Sequence, residues 1–146
     1  YIYSIQPSIL KLKDGRLQVL MRTHNAKLAT SFSSDGGDTW TPVTLLYIEN
    51  NQSGTDAVTL KDGRHVLIYN NFETLPGTKK GPRTPLSLAI SEDGTHWRHL
   101  LTLEDSPINQ YSYPGIIEGK DGKLHCIYTW RRQRVAYKEV DLKKIK

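Results

Sequence analysis

Pro7–Leu20 (PSILKLKDGRLQVL) joins two runs of alternating and β-branched residues through Asp14-Gly15, and the pattern returns in Asp56–Tyr69 (DAVTLKDGRHVLIY) and Pro114–Tyr128 (PGIIEGKDGKLHCIY). Asp-Gly between two such runs is the strongest local signal for a β-hairpin, because both residues tolerate the positive φ of tight primed turns. The turns fall at Asp14, Asp62 and Asp121, 48 and 59 residues apart. That period fits a four-stranded propeller blade of roughly 40 to 50 residues with loop insertions.

Each hairpin leads into a further strand, at Leu28–Ser33, Leu86–Ser91 and Val135–Val140. The first two run into Ser33–Trp40 (SSDGGDTW) and the one-residue-shorter Ser91–Trp97 (SEDGTHW), which match the Asp-box S-x-D-x-G-x-T-W in full or in short form. In such a turn Ser and Asp accept backbone N–H bonds, Gly allows the bend and Trp plugs the turn onto its blade. Asp35 and Asp93 are therefore expected to hold turns rather than perform chemistry. Fourth strands are expected over Thr41–Ile48 and Arg98–Glu104, and the third repeat, ending in Val135–Ile145, lacks its outer strand. The predicted fold class is all-β: a β-propeller of four-stranded antiparallel blades, about three of them. They form a single unit over 1–146, with blades at about 5–50, 51–105 and 106–146. A closed propeller typically needs 4 to 8 blades, so a second half-propeller is expected as partner, from a second copy (a homodimer) or an N-terminal half.

Composition narrows the function classes. With 146 residues, 37% hydrophobic and 24% charged, the chain has the make-up of an ordinary folded domain. Apolar runs are too short to span a bilayer, so no membrane partner is expected. Position 1 is Tyr and no basic segment precedes an apolar run, so a signal peptide is expected to be absent or removed. The net charge of +5 comes from basic residues spread along the chain, apart from Arg131-Arg132 and the tail Lys143–Lys146, so no nucleic-acid partner is expected. Cys126 is the only cysteine and reads as a small buried apolar residue. The five histidines show no metal-ligand spacing, and no glycine-rich phosphate loop is present, so no metal and no cofactor are expected.

On its repeats and the two Asp-boxes the chain resembles the sialidase (neuraminidase) superfamily of six-bladed BNR/Asp-box propellers, specifically the C-terminal half of one. The resemblance covers nearly the whole chain. In that family a strand of the form E-x-x-V-x-x-L-x-D-G begins with the glutamate that activates the nucleophile, and an arginine sixteen residues later binds the substrate carboxylate. The same register here gives Gln6 in place of the glutamate, then Asp14-Gly15 and Arg22. A second family arginine, eight residues before an Asp-box serine, falls on Arg83. The family's nucleophilic tyrosine, eight residues before a later Asp-Gly, falls on Tyr113, with Tyr111 as the alternate because of its Tyr-Ser context.

The resemblance implies an exo-α-sialidase type of glycoside hydrolase acting on terminal sialic acid or a related acidic sugar of a sialoglycoconjugate. A substrate of that class favours a secreted or periplasmic location. Planar guanidinium groups grip a carboxylate bidentately, and an aryloxide nucleophile avoids the repulsion a second carboxylate would meet. Gln6 has an amide and cannot act as a base, so Asp56 and Glu118 are candidate substitutes. His24, two residues after Arg22, would share its side if the strand continues. Trp130 with Arg131, Arg132 and Arg134 reads as a rim able to stack on a sugar and contact acids. Two further readings stay open: a non-catalytic carbohydrate-binding propeller that has lost hydrolysis with the glutamate, and a propeller hydrolase or lyase for another acidic sugar, with His24 as base.

Overall fold

The computed structural model describes residues 1–145 except Glu73, Leu75, Lys79 and Asn109; the last residue of the basic tail lies outside it. The described residues form eleven strands: β1 (Ser4–Lys11), β2 (Leu17–Thr23), β3 (Lys27–Ser33), β4 (Thr44–Glu49), β5 (Asp56–Thr59), β6 (His65–Tyr69), β7 (Leu86–Ser91), β8 (Arg98–Glu104), β9 (Tyr111–Glu118), β10 (Leu124–Trp130) and β11 (Arg134–Val140). A short 3-10 turn follows at Leu142–Lys144. Pairing is antiparallel between sequence neighbours and makes three meandering sheets, β1-β2-β3-β4, β5-β6-β7-β8 and β9-β10-β11. This is the all-β propeller architecture expected, with the third blade short of its outer strand.

The middle blade is packed on both faces, which explains why its central strands read as continuous apolar runs. Every residue of β6 and β7 is buried. Leu67, Tyr69 and Ala89 meet Leu10, Leu20, Leu28 and Ile48 of the first blade. Val66, Ile68, Leu88 and Ile90 meet Tyr111, Ile116, Cys126 and Tyr128 of the third. Cys126 is thus a core residue, and burial pushes its thiol up to about 11. The two end blades leave apolar faces open: Ile9, Leu45 and Tyr47 on the first, and Ile117, Ile127, Val135 and Tyr137 on the third.

The hairpin turns differ from the primed turns expected. At each one only the glycine has positive φ, at Gly15 (89°), Gly63 (90°) and Gly122 (79°). Gly15 N–H bonds Leu12 O at 3.0 Å, and Leu12 N–H bonds Arg16 O at 2.9 Å. This is a three-residue loop in which a β-turn is followed by a left-handed glycine. The reason lies in the aspartate: Asp14, Asp62 and Asp121 each accept the N–H two residues on at 3.0 Å, which holds them in right-handed geometry.

In the Ser33–Trp40 turn, Asp35 accepts from Thr39 N–H (2.9 Å) and from Thr39 Oγ1 (2.5 Å), Gly37 N–H donates to Ser33 Oγ, and Trp40 Nε1 donates to Gly37 O (3.0 Å). The Thr39 hydroxyl and N–H, with Ser33, hold Asp35 down to about 2. In Ser91–Trp97, Asp93 accepts from the N–H groups of Thr95 and His96, and Trp97 Nε1 donates to Gly94 O. Gln18, buried in β2, donates to Gly94 O at 2.8 Å and so ties the first blade to the second blade's turn.

Candidate functional site

The inner strands β1, β5 and β9 start side by side, and two of them start with the same irregularity. In β1, Ile5 pairs with Arg22 and Ser8 with Leu20, so Gln6 and Pro7 oppose one residue of β2. In β9, Ser112 pairs with Thr129 and Gly115 with Ile127, so Tyr113 and Pro114 oppose one residue of β10. Each is a β-bulge, a device that re-aims a side chain. Gln6 and Tyr113 pay for it with left-handed backbones, at φ 57° and 50°. The third start, on β5, contributes Gly54, where an added Cβ would lie 3.4 Å from both Gln6 Oε1 and Tyr113 Cδ1. Gly54 therefore lets Gln6 and Tyr113 close over it.

Four of the residues singled out in the sequence converge here. Arg22 leaves the end of β2 and its Nη1 donates to Gln6 Oε1 at 3.0 Å. Arg83 Cζ stands 5.1 Å from the centroid of the Tyr113 ring, and Arg83 O accepts from Tyr111 N–H at 2.8 Å, which fixes the arginine's backbone to the start of β9. The pull of Arg83, then of Arg22, on the phenolate holds Tyr113 below its ordinary value near 10, although the side chain is 54% exposed. Arg22 Nε and Arg83 Nη1 are buried with no hydrogen-bond partner among the described residues. Buried polar groups normally find partners, so both guanidinium groups keep donors in reserve.

Two hollows open here, one lined by Tyr113 itself and one by the arginines that act on it. One, of about 300 Å³, is lined by Gln6, Ser8, Gly54, Thr55, Asp56 and Tyr113. The other, of about 290 Å³, is lined by Arg22, Asn51, Gln52, Lys80, Arg83 and Arg132.

The remaining candidates sit elsewhere or do other work. Asp56 reaches the first hollow, but its carboxylate accepts from Ser8 Oγ and Ile116 N–H, both at 2.9 Å, and so braces all three blades. Glu118 caps the Asp62 hairpin by accepting from Lys61 N–H at 2.9 Å. Tyr111 is a core residue, 1% exposed, with its hydroxyl 3.4 Å from Arg131 Nη2. Because β2 ends at Thr23, His24 does not continue the Arg22 row; its Nε2 lies 2.8 Å from Gln52 Nε2 and it touches the site through that residue. Trp130 is covered by Arg131 and Arg134, whose Cζ atoms lie 4.4 and 4.3 Å from its ring centroid, so only Arg132 of the expected rim faces the site.

The sequence reading missed the segment Asn50–Gly54, whose polar letters look like a linker. Asn50, Asn51 and Ser53 are buried. Asn50 Oδ1 accepts from Thr23 N–H at 3.0 Å, and Asn51 Nδ2 donates to Pro82 O at 2.5 Å, so this loop spaces Arg22 from Arg83. Lys80 was missed as a site residue as well, whereas Arg132 belongs to the rim expected around Trp130. Away from the site, Asp121, His125 and Glu139 bring ligand atoms within 4.8 Å of one another, with Glu139 paired to Lys123 at 3.0 Å.

Blades of this topology, with an arginine-flanked tyrosine where the inner strands begin, define a propeller of the sialidase/BNR-repeat superfamily. Over residues 2–126 the chain matches the BNR repeat-like domain and belongs to that family. It is 25% identical over 151 residues to an anhydrosialidase of Macrobdella decora, covering 92% of this chain and 20% of that protein. The intramolecular trans-sialidase of Ruminococcus gnavus, solved with oseltamivir carboxylate, superposes with a TM-score of 0.75 at 21% identity over 96% of this chain and 33% of its own. An α-L-arabinanase of Penicillium chrysogenum complexed with arabinobiose gives 0.69 at 19% identity, over 98% of this chain and 48% of its own. The chain thus spans a third or less of the sialidase relatives and about half of the arabinanase.

Proposed function

We propose that this chain carries the carboxylate-binding and nucleophile half of a glycoside hydrolase for terminal sialic acid or a related acidic sugar. Further blades, from an N-terminal half or a second copy, would cover the faces around Ile9 and Ile127. The observation that carries the reading is the pair of guanidinium groups, Arg22 and Arg83, with buried unpaired N–H donors on either side of an exposed, acidified tyrosine. A carboxylate between them would satisfy those donors and offset one of the two positive charges. Tyr113 Oη would then attack the anomeric carbon, forming a glycosyl–tyrosine bond as the aglycone leaves with a proton from an acid on another blade. Water would hydrolyse that bond with retention. The positive charge left on the arginine pair lowers the phenol's proton affinity in place of the usual base, and the phenol proton passes to solvent water.

A second reading, binding without turnover, is favoured by one observation: Gln6 Oε1 is taken by Arg22, and among the described residues the carboxylate that shares a hollow with Tyr113, Asp56, is already engaged by Ser8 and Ile116. The test is release of sialic acid from an aryl sialoside by the protein in its native assembly. Hydrolysis that disappears in Tyr113→Phe and rises at least roughly tenfold in Gln6→Glu supports the hydrolase. Sialic acid binding with no turnover in either the wild type or Gln6→Glu supports the binding propeller.

A further inference from the structure

The hollow lined by Arg22 and Arg83 holds more positive charge than one carboxylate needs. Besides Arg22 and Arg83 it is lined by Lys80 and Arg132, and no carboxylate among the described residues lines it. Among the described residues neither Lys80 nor Arg132 finds a side-chain hydrogen bond or ion pair, whereas the neighbouring Arg131 is committed to Ser106 Oγ and to the Trp130 ring. Four like charges around about 290 Å³ repel one another, and two of them keep buried N–H groups without partners. Such an arrangement is stable in use only when a ligand brings the missing negative charge.

The turn that delivers Arg132 points the same way. Gln133 N–H bonds Trp130 O at 3.0 Å around Arg131 and Arg132, whose φ values are 51° and 56°. A two-residue turn with both central residues left-handed favours Asn-Gly, yet two arginines occupy it. Backbone strain of this kind collects where side-chain placement matters. Gln52, at φ 65°, lines the same hollow.

We infer that the ligand of this site carries a second anionic group within about one sugar ring of its carboxylate, and that Lys80 and Arg132 bind that group while Arg22 and Arg83 hold the carboxylate. The second anion is a sulfate or phosphate ester on the acidic sugar, or the carboxylate of an adjoining acidic sugar. This rests on the acidic-sugar reading above.

The experiment is calorimetric titration of the protein in its native assembly with N-acetylneuraminic acid, its 9-phosphate, and an α2,8-linked disialic acid. It is repeated on Lys80→Gln, Arg132→Gln and the double variant, all at exposed positions. Charge-assisted contacts predict that at least one dianion binds the wild type roughly ten- to hundredfold more tightly than the monoanion. The double variant should erase that advantage, so that dianions and monoanion bind it with similar affinity. The phosphate-only and disaccharide-only outcomes identify the source of the second anion. Equal affinity for all three probes, or an equal loss for monoanion and dianions in the double variant, overturns the inference and leaves the acidic-sugar reading standing. No binding of any probe overturns both.

Discussion

Asp56 separates a structural role from a binding role at the centre of the molecule, and its replacement by Ala has a calculable effect. Its two oxygens accept from Ser8 Oγ on β1 and Ile116 N–H on β9, each at 2.9 Å, while the residue itself begins β5. Hydrogen bonds to an ionised group contribute about 1.5–3 kcal/mol each. Losing two, with partial exposure letting water replace some of the interaction, should cost about 3 kcal/mol. For a chain of this size each kcal/mol moves Tm by roughly 2–4 °C, so Asp56→Ala should melt about 9 °C lower. Asp56→Asn keeps one acceptor for Ile116 N–H and offers its amide to Ser8 Oγ, so it should recover most of the loss. Thermal unfolding by near-ultraviolet circular dichroism reads both. A drop under about 2 °C for Asp56→Ala, or sugar binding lost with Tm unchanged, would refute the brace and return Asp56 to the binding site.

Two further outcomes follow from the same physics. Asp35 is held down to about 2 against 3.8 unfolded, so its contribution is fully present above pH 3.8 and lost as pH falls toward 2; the stability gap between wild type and Asp35→Asn in urea titrations should therefore close over that window, and a gap that persists unchanged at pH 2 contradicts it. Arg132→Gly relieves a left-handed non-glycine backbone and should stabilise by about 1 kcal/mol, read as a higher urea midpoint, while weakening dianion binding; a lower midpoint would show the turn is not strained.

The blades were legible because their signals are local. Asp-Gly at three places and the Ser-Asp-Gly-Trp turns at two each specify a few residues of backbone, and the strands between them follow from alternation. The convergence of Gln6, Arg22, Arg83 and Tyr113 was legible through the family resemblance, which assigns each a fixed offset from one of those turns, so register transmits position. What the sequence hid depends on backbone states that residue type does not advertise. Nothing in the letters of Gln6-Pro7 or Tyr113-Pro114 announces a bulge with positive φ, and Arg131-Arg132 contradicts the preference of the turn it forms. The buried asparagines at 50 and 51 read as loop because polar residues usually face water. Only the carbonyls and N–H groups they satisfy, on segments far away in sequence, explain their burial.

The central claim is that Arg22 and Arg83 hold a carboxylate against Tyr113, and one titration tests it directly. Tyr113 lies below the ordinary tyrosine value near 10, whereas burial pushes Tyr69 up to about 12 and Tyr128 higher still. The first step in an alkaline absorbance titration at the tyrosinate band should therefore belong to Tyr113 and vanish in Tyr113→Phe. Saturating N-acetylneuraminic acid should move that step upward, because a bound carboxylate offsets part of the arginine charge that stabilises the phenolate. A first step that persists in Tyr113→Phe, or one that saturating sugar leaves in place, would contradict the account.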